Sequence, residues 1–366
     1  MTSKISPKVL ISGGGTGGHI YPAIAIADEI KRRLPNAQIL FVGADSKMEM
    51  EKVPKAGYAI KGLPIAGFDR SNMGANLKFP LKLIKSISLA KKIYNEFKPD
   101  LAVGTGGYAS GPMLWITGNH GIPYLLQEQN SFPGVTNKIL KNKAAAICTA
   151  YEGIVQFPAE KVTYTGNPIR SEIFTNLPSK EDAIAKFNLD PIKPTILSVG
   201  GSQGSRAVNN AWLEKLDQLV VSGVQLIWQT GKLDYDKIKE LVGNKYPTIH
   251  VTEFIYNMQD AYAAADCIVS RAGAMAISEL SIIGKPTILL PLPSAAEDHQ
   301  TKNAMALVNK EAAILVKDIE AKEKLVPTII ALANDEILKK KLSTNIKSLG
   351  KPNATKEIVD ILLNLL

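Results

Sequence analysis

The chain has 366 residues, 45% hydrophobic and 21% charged, which is more than one hydrophobic core comfortably holds, so two globular domains of ordinary soluble composition are expected. Its two cysteines, Cys148 and Cys267, both lie in apolar runs, which argues against a disulfide framework and for a reducing compartment. The net charge of +9 calls for an acidic partner (nucleic acid, anionic lipid or a phosphorylated substrate), while the polar first residues and the lack of an apolar run of about 18 residues argue against a signal peptide and a membrane span.

Short apolar runs alternate with helical patterns along the chain. The first run, 9–12, leads into Gly13-Gly14-Gly15-Thr16-Gly17-Gly18-His19 and then a helix expected over 22–34. Backbone N–H groups that converge at a helix start make an anion site, and glycine lets a ligand approach them closely. His19 stands at the mouth of this turn, and histidine ordinarily titrates near neutrality. Gly13-x-Gly15-x-x-Gly18 is also formally a dinucleotide fingerprint; its acidic partner would be Asp45, somewhat late after the second run at 39–42. Five glycines in six positions make a merely structural turn the weaker reading. Residues 77–98 read as a helix with Lys78, Lys82, Lys85 and Lys92 on one side. Such a face is either solvated, above a core-facing apolar side, or a patch for anionic lipid. Runs at 101–103, 124–126 and 145–148 complete the first half, and the turn Gly104-Thr105-Gly106-Gly107-Tyr108 suits close packing or a ligand equally.

The turn-rich stretch 166–178 marks a break. Beyond it come runs at 195–199, 225–228, 249–252, 267–270, 287–290 and 313–316. The first leads into Gly200-Gly201-Ser202-Gln203-Gly204, which fits a nucleophile elbow, with His250 and His299 downstream as candidate bases. An elbow on the first strand of its half is out of place, so a second phosphate loop, with Ser202 donating to a diphosphate, is preferred. Asp234 and Asp236 suit the start of a helix better than a metal, and four scattered histidines form no ligand cluster. Fully apolar strands alternating with helices imply parallel sheets covered on both faces. The expected fold is therefore α/β, two Rossmann-like parallel-sheet domains (1–168 and 169–350) facing across a cleft. A last helical segment, 351–366, has a return to the first domain as one option.

These motifs occur in order with Gln127-Glu128-Gln129-Asn130-Ser131-Phe132-Pro133-Gly134, Gly166-Asn167-Pro168-Ile169-Arg170, Phe254-Ile255, Arg271-Ala272-Gly273-Ala274 with Ser278-Glu279, and Asp298-His299-Gln300 with Asn303-Ala304. The set closely resembles the MurG family of glycosyltransferases, from about residue 8 to residue 305. The resemblance implies a GT-B architecture with the active site between the domains. It implies inverting transfer of N-acetylglucosamine from UDP-N-acetylglucosamine to the 4-hydroxyl of the muramoyl sugar of lipid I, giving lipid II and UDP for peptidoglycan synthesis. The acceptor carries an undecaprenyl diphosphate, which implies peripheral work at the cytoplasmic face of the cell membrane.

By motif, the resemblance implies Glu279 for the ribose hydroxyls, Ile255 for the uracil edge, and Ala274 and Met275 N–H groups with Ser202 for the diphosphate. Gln300 would hold the donor sugar, and Thr16, Gly17, Gly18, Asn130 and Arg170 match further donor positions. The first glycine loop is left open to either the donor or the acceptor diphosphate. Position 276 is Ala, which offers no hydroxyl to a phosphate. His19 is the candidate general base, with Glu128 as a rival base or an orienting group. No metal or cofactor is expected, so the leaving diphosphate falls to backbone amides and helix starts. The alternatives are an epimerase acting on UDP-N-acetylglucosamine, an NAD(P)-dependent oxidoreductase, and a nucleic-acid binder. The last lacks an arginine cluster or a recognised motif.

Overall fold

Continuous aliphatic runs need apolar surroundings on both faces, and the computed structural model, which describes residues 6–45, 47–65, 67, 79–201 and 203–366, provides them in two sheets. The first has strands β1 (Lys8–Gly13), β2 (Gln38–Ala44), β3 (Ala59–Leu63), β4 (Leu101–Gly106), β5 (Tyr124–Glu128), β6 (Ala146–Thr149) and β7 (Val162–Tyr164), in the order β3-β2-β1-β4-β5-β6-β7. The second has β8 (Thr195–Val199), β9 (Gln225–Gln229), β10 (Ile249–Thr252), β11 (Cys267–Ser270), β12 (Thr287–Leu289) and β13 (Ile314–Leu315), in the order β10-β9-β8-β11-β12-β13. Every pairing is parallel, and both sheets reverse direction beside their first strand, the doubly wound Rossmann pattern.

Every apolar run named above falls on a strand, with Ala145, Leu290, Ala313 and Val316 just beyond the strand ends. The sequence reading missed β3 and β7, the two edges of the first sheet, where exposed and half-buried residues interrupt the apolar signal.

The chain divides into an N-terminal unit, Met1–Arg170 with Pro352–Leu366, and a C-terminal unit, Ser171–Lys351. The first unit thus runs on through Arg170 and takes back the end of the chain. Ile358, Val359 and Leu362 of the last helix, Ala354–Leu363, are fully buried with Val9, Ile11, Ile26 and Ile30. Arg33 ties this helix down by donating to the Asp360 carboxylate and, at 3.0 Å, to the Lys356 carbonyl.

One local expectation is corrected and one open reading is narrowed. The first helix spans Gly17–Arg33 rather than starting at 22, so Pro22 lies inside it and His19 belongs to its first turn. The helix Phe79–Phe97 buries the small face Ser86, Ala90 and Ile93, while Leu81 and Ile84 are each 64% exposed, so its apolar residues do not all face the core.

Candidate active site

In the N-terminal unit, a register shift at the end of β1 sets Gly13 opposite Gly106. The two glycine turns then interlock. A Cβ on Gly107 would lie 2.2 Å from the Gly14 carbonyl oxygen, and one on Gly13 would lie 2.0 Å from Thr105 Oγ1. Close backbone approach therefore accounts for Gly107, whereas a Cβ on Gly104 would meet the Leu114 side chain and Gly106, at φ 93°, faces the His19 ring. Beneath the first loop lies Glu49, fully buried. Its carboxylate accepts from Gly15 N at 3.1 Å (Oε1) and 3.0 Å (Oε2), and from Ala44 N at 2.9 Å.

Thr16 is the N-cap of the helix Gly17–Arg33 but gives it no side-chain cap; the His19 N–H donates to the Thr16 carbonyl at 3.1 Å, and ahead of it stand the amides of Gly17 and Gly18. His19 Nδ1 lies 2.9 Å from the Gly14 carbonyl oxygen and 3.3 Å from Thr16 Oγ1. A carbonyl can only accept, so Nδ1 carries the hydrogen, and the basic lone pair of the neutral ring is on Nε2. Thr105 Oγ1 donates to the His19 carbonyl at 2.9 Å, anchoring the residue from behind.

Glu128, at the end of β5, is 2% exposed and works as the hub of its loop. Oε1 accepts from Asn130 N at 3.1 Å and Asn130 Nδ2 at 3.3 Å; Oε2 accepts from Gly134 N at 3.1 Å and Asn137 Nδ2 at 2.8 Å. Gln127 donates to Asn167 Oδ1 at 2.9 Å, and Gln129 donates to the Thr105 carbonyl at 2.8 Å, linking this loop to the glycine turns. Arg170 is exposed at the end of the unit.

In the C-terminal unit, Ser202 lies outside the described residues, but the rest of its loop is built tightly. A Cβ on Gly204 would lie 2.0 Å from the Thr230 carbonyl oxygen. The helix that follows, Arg206–Glu214, is closed by Ser205, whose hydroxyl oxygen accepts from Val208 N at 3.3 Å and from Arg271 Nη2 at 2.6 Å. Arg271 also donates to the Leu290 carbonyl at 3.0 Å, the Pro291 carbonyl at 3.2 Å and the Asp318 carboxylate, so it joins the loops that follow β8, β11, β12 and β13.

The helix Ala274–Ile283, by contrast, has no side-chain cap at Gly273, and its first turn carries the amides of Ala274 and Met275 at the positive end of the helix dipole. One turn further on, Glu279 Oε2 accepts from the Tyr262 phenol at 3.0 Å. Gln300 Oε1 accepts from Ala272 N at 3.2 Å and Leu292 N at 2.9 Å, so its NH₂ is the group left to meet a ligand.

Ile255 N donates to Gln229 Oε1 at 3.0 Å, and Gln229 Nε2 donates to the Gly201 carbonyl at 3.0 Å. Of the two backbone groups expected at a uracil edge, the N–H is thus committed to Gln229. Asp234 is the N-cap residue of the helix Tyr235–Val242, but its carboxylate accepts from Asn209 Nδ2 at 2.8 Å instead of capping. His250 sits on the edge strand β10 with Nδ1 donating to the Phe187 carbonyl at 3.1 Å, and burial lowers its pKa, an arrangement that serves packing.

Glu49, Gln229 and Tyr262 were not singled out from sequence. Glu49 reads locally as an acid favoured in the first turn of a helix, and Tyr262 as one apolar position of an alanine-rich helix. On the helix Phe79–Phe97, Lys82, Lys85 and Lys92 are exposed, with Lys92 beside Glu96 and Lys61 around a shallow recess, and Lys78 lies outside the described residues. That helix packs on Ser110–Asn119, which packs on Val135–Leu140, and Trp115 and Ile139 on these neighbours are 47% and 72% exposed.

Residues 9–149 match the glycosyltransferase family 28 N-terminal domain, and residues 195–358 match the glycosyltransferase family 28 C-terminal domain. A Parabacteroides distasonis protein named UDP-N-acetylglucosamine--N-acetylmuramyl-(pentapeptide) pyrophosphoryl-undecaprenol N-acetylglucosamine transferase is 51% identical over 361 residues, 98% of each chain. A Phocaeicola vulgatus protein of the same name is 54% identical over 346 residues, 94% of this chain and 92% of its own. Among solved structures, Acinetobacter baumannii MurG superposes with a TM-score of 0.80 at 28% identity, covering 98% of this chain and 99% of its own. The matches do not favour the epimerase or the oxidoreductase. Two Rossmann-like units of the GT-B type and sustained identity along the whole chain place it in glycosyltransferase family 28, and the chain belongs to that family's MurG branch.

Proposed function

We propose that this protein moves N-acetylglucosamine from UDP-N-acetylglucosamine to the 4-hydroxyl of the muramoyl sugar of lipid I with inversion, giving lipid II and UDP. The observation that carries this reading is identity of about half the residues, over 98% of both chains, with a transferase so named. The C-terminal unit holds the donor. Glu279 accepts from the ribose hydroxyls, the Ile255 carbonyl meets the uracil, and the Gln300 NH₂ meets a sugar hydroxyl. The amides of Ala274 and Met275, at the uncapped helix start, take up the charge that develops on the departing diphosphate, with Ser202 beside them. In the N-terminal unit, His19 Nε2 removes the proton of the acceptor hydroxyl as that oxygen attacks the anomeric carbon. The bond to the diphosphate oxygen breaks, and its electron pair leaves with UDP. Glu128 shapes the loop that carries Asn130; its four N–H contacts suit an orienting role better than that of a base. Thr16, Gly17, Gly18 and Arg170 contact the substrates' polar groups.

The protein works peripherally on the cytoplasmic face of the membrane. Support comes from Leu81 and Ile84, exposed among Lys82 and Lys85, with Trp115 and Ile139 on neighbouring helices. No helix among the described residues is long and apolar enough to cross a membrane.

The deciding assay follows radiolabelled N-acetylglucosamine onto a short-chain lipid I analogue. Label should enter the lipid product only when donor and acceptor are both present, and its absence there would reject the reading. His19→Ala should slow transfer by about 10²–10⁴-fold with little change in UDP affinity, whereas Glu279→Ala should weaken UDP binding. Equal loss of UDP binding in both variants would refute this division of labour.

A further inference from the structure

We propose that Glu49 is a positioning residue for His19 and acts through the peptide group that joins Gly14 to Gly15. The Gly15 N–H, which donates to both oxygens of the Glu49 carboxylate at 3.0 and 3.1 Å, and the Gly14 carbonyl, which accepts from His19 Nδ1 at 2.9 Å, belong to one amide plane. The sequence of contacts is carboxylate, N–H, C=O, imidazole. An amide whose N–H is held by an anion carries more negative charge on its oxygen, because linked hydrogen bonds polarise one another. The Gly14 oxygen is then a stronger acceptor for Nδ1–H. It holds the ring in the tautomer that leaves Nε2 basic, and it stabilises the imidazolium formed when a proton arrives at Nε2. This is the work of the carboxylate in a Ser-His-Asp triad, with a peptide group interposed.

Three observations single out Glu49 for this work. Its side chain is fully buried, so its charge is weakly screened. The backbone is cut to fit it: a Cβ on Gly14 would lie 2.1 Å from Glu49 Oε1, and one on Gly43 would lie 2.5 Å from Glu49 Cγ. Finally, His19 sits in the first turn of the helix Gly17–Arg33, where the positive end of the helix dipole opposes an imidazolium, and a buried negative charge on the far side of the loop opposes that field. One consequence concerns the loop itself. The Gly15 amide is occupied by the protein's own anion, so a substrate phosphate at this turn would turn to the amides of Thr16, Gly17 and Gly18.

The proposal rests on His19 being the base, and the test separates the two. The full chain is labelled with ¹⁵N-histidine, and the His19 ring is assigned by its disappearance in His19→Gln. In the unaltered protein the neutral ring should carry its hydrogen on Nδ1; an Nε2-protonated ring overturns the proposal without any variant. Glu49→Gln keeps the shape and removes the charge. It should move the His19 ring toward the other tautomer and lower kcat at least about tenfold, with UDP affinity unchanged. Unchanged tautomer and kcat overturn the proposal, as does a fall in kcat matched by an equal loss of UDP binding, which would make Glu49 a scaffold only. If His19→Gln itself retains full kcat, the base assignment falls, and the tautomer shift alone then decides whether Glu49 governs this ring.

Discussion

The Tyr262 phenol is buried, and that burial, together with the adjacent Glu279 carboxylate, pushes its pKa well above the ordinary range, so it stays a hydrogen-bond donor at any working pH. It fixes one oxygen of Glu279 and so orients the carboxylate that is proposed to meet the ribose. Tyr262→Phe should therefore weaken UDP binding by about tenfold, the worth of one hydrogen bond to a charged group, and weaken 2′-deoxy-UDP binding less; calorimetric titration of both nucleotides checks it. Equal losses for the two would mean that Tyr262 does not act on the ribose contact. Glu279 was legible as a carboxylate in a recognisable motif. Tyr262 was not, because the residue it serves lies on another helix, 17 positions along the chain.

The helix Gly17–Arg33 carries the first glycine loop at one end and a carboxylate cluster at the other. Glu29 accepts from Arg32 Nε and Nη2 at 2.7 Å and from Arg33 Nε at 2.6 Å. The Arg32 hydrogen bonds, with a smaller contribution from Arg33, bring its pKa down from the ordinary 4.5 to about 2. A depressed carboxylate pKa stabilises the folded state fully above the unfolded value and loses that stabilisation as pH falls from about 4.5 toward 2. The stability difference between wild type and Glu29→Gln should thus be constant near neutrality and shrink across that window, as read from thermal midpoints against pH. The last helix, Ala354–Leu363, completes the same core. Leu362→Ala should cost about 2–5 kcal/mol in urea denaturation, the range for truncating a fully buried leucine. A loss below about 1 kcal/mol would show that the helix is only loosely attached. From sequence this helix was visible as a helix, but the surface it covers was not.

At the scale of the whole molecule, the chain builds the same doubly wound sheet twice and then returns to the first unit with its last fifteen residues. The net charge of +9 was read as a demand for an acidic partner, and the lipid diphosphate and anionic surface of the proposed function would meet that demand. If Leu81 and Ile84 enter the lipid interface, replacing both with glutamate should lower binding to phosphatidylglycerol vesicles at least about tenfold, from lost burial and added repulsion. Transfer to a short-chain, water-soluble acceptor should be unchanged. Vesicle binding that is indifferent to the double substitution would move the contact elsewhere.

The amino-acid sequence by itself determined the central strands, the glycine loops and the family. Strands buried on both faces must be apolar throughout, and a turn that admits a neighbouring backbone must be glycine, so both leave a local record. The tertiary structure alone decided the edge strands β3 and β7, whose partial exposure dilutes that record, and the earlier start of the first helix. It also decided the partners of residues distant in sequence: Glu49 beneath the first glycine loop, Tyr262 on Glu279, Gln229 on Ile255, and Arg271 among loops from four strands. A side chain's own pattern reports whether it is buried, but which distant group it meets is set only when the strands take their order in the sheet.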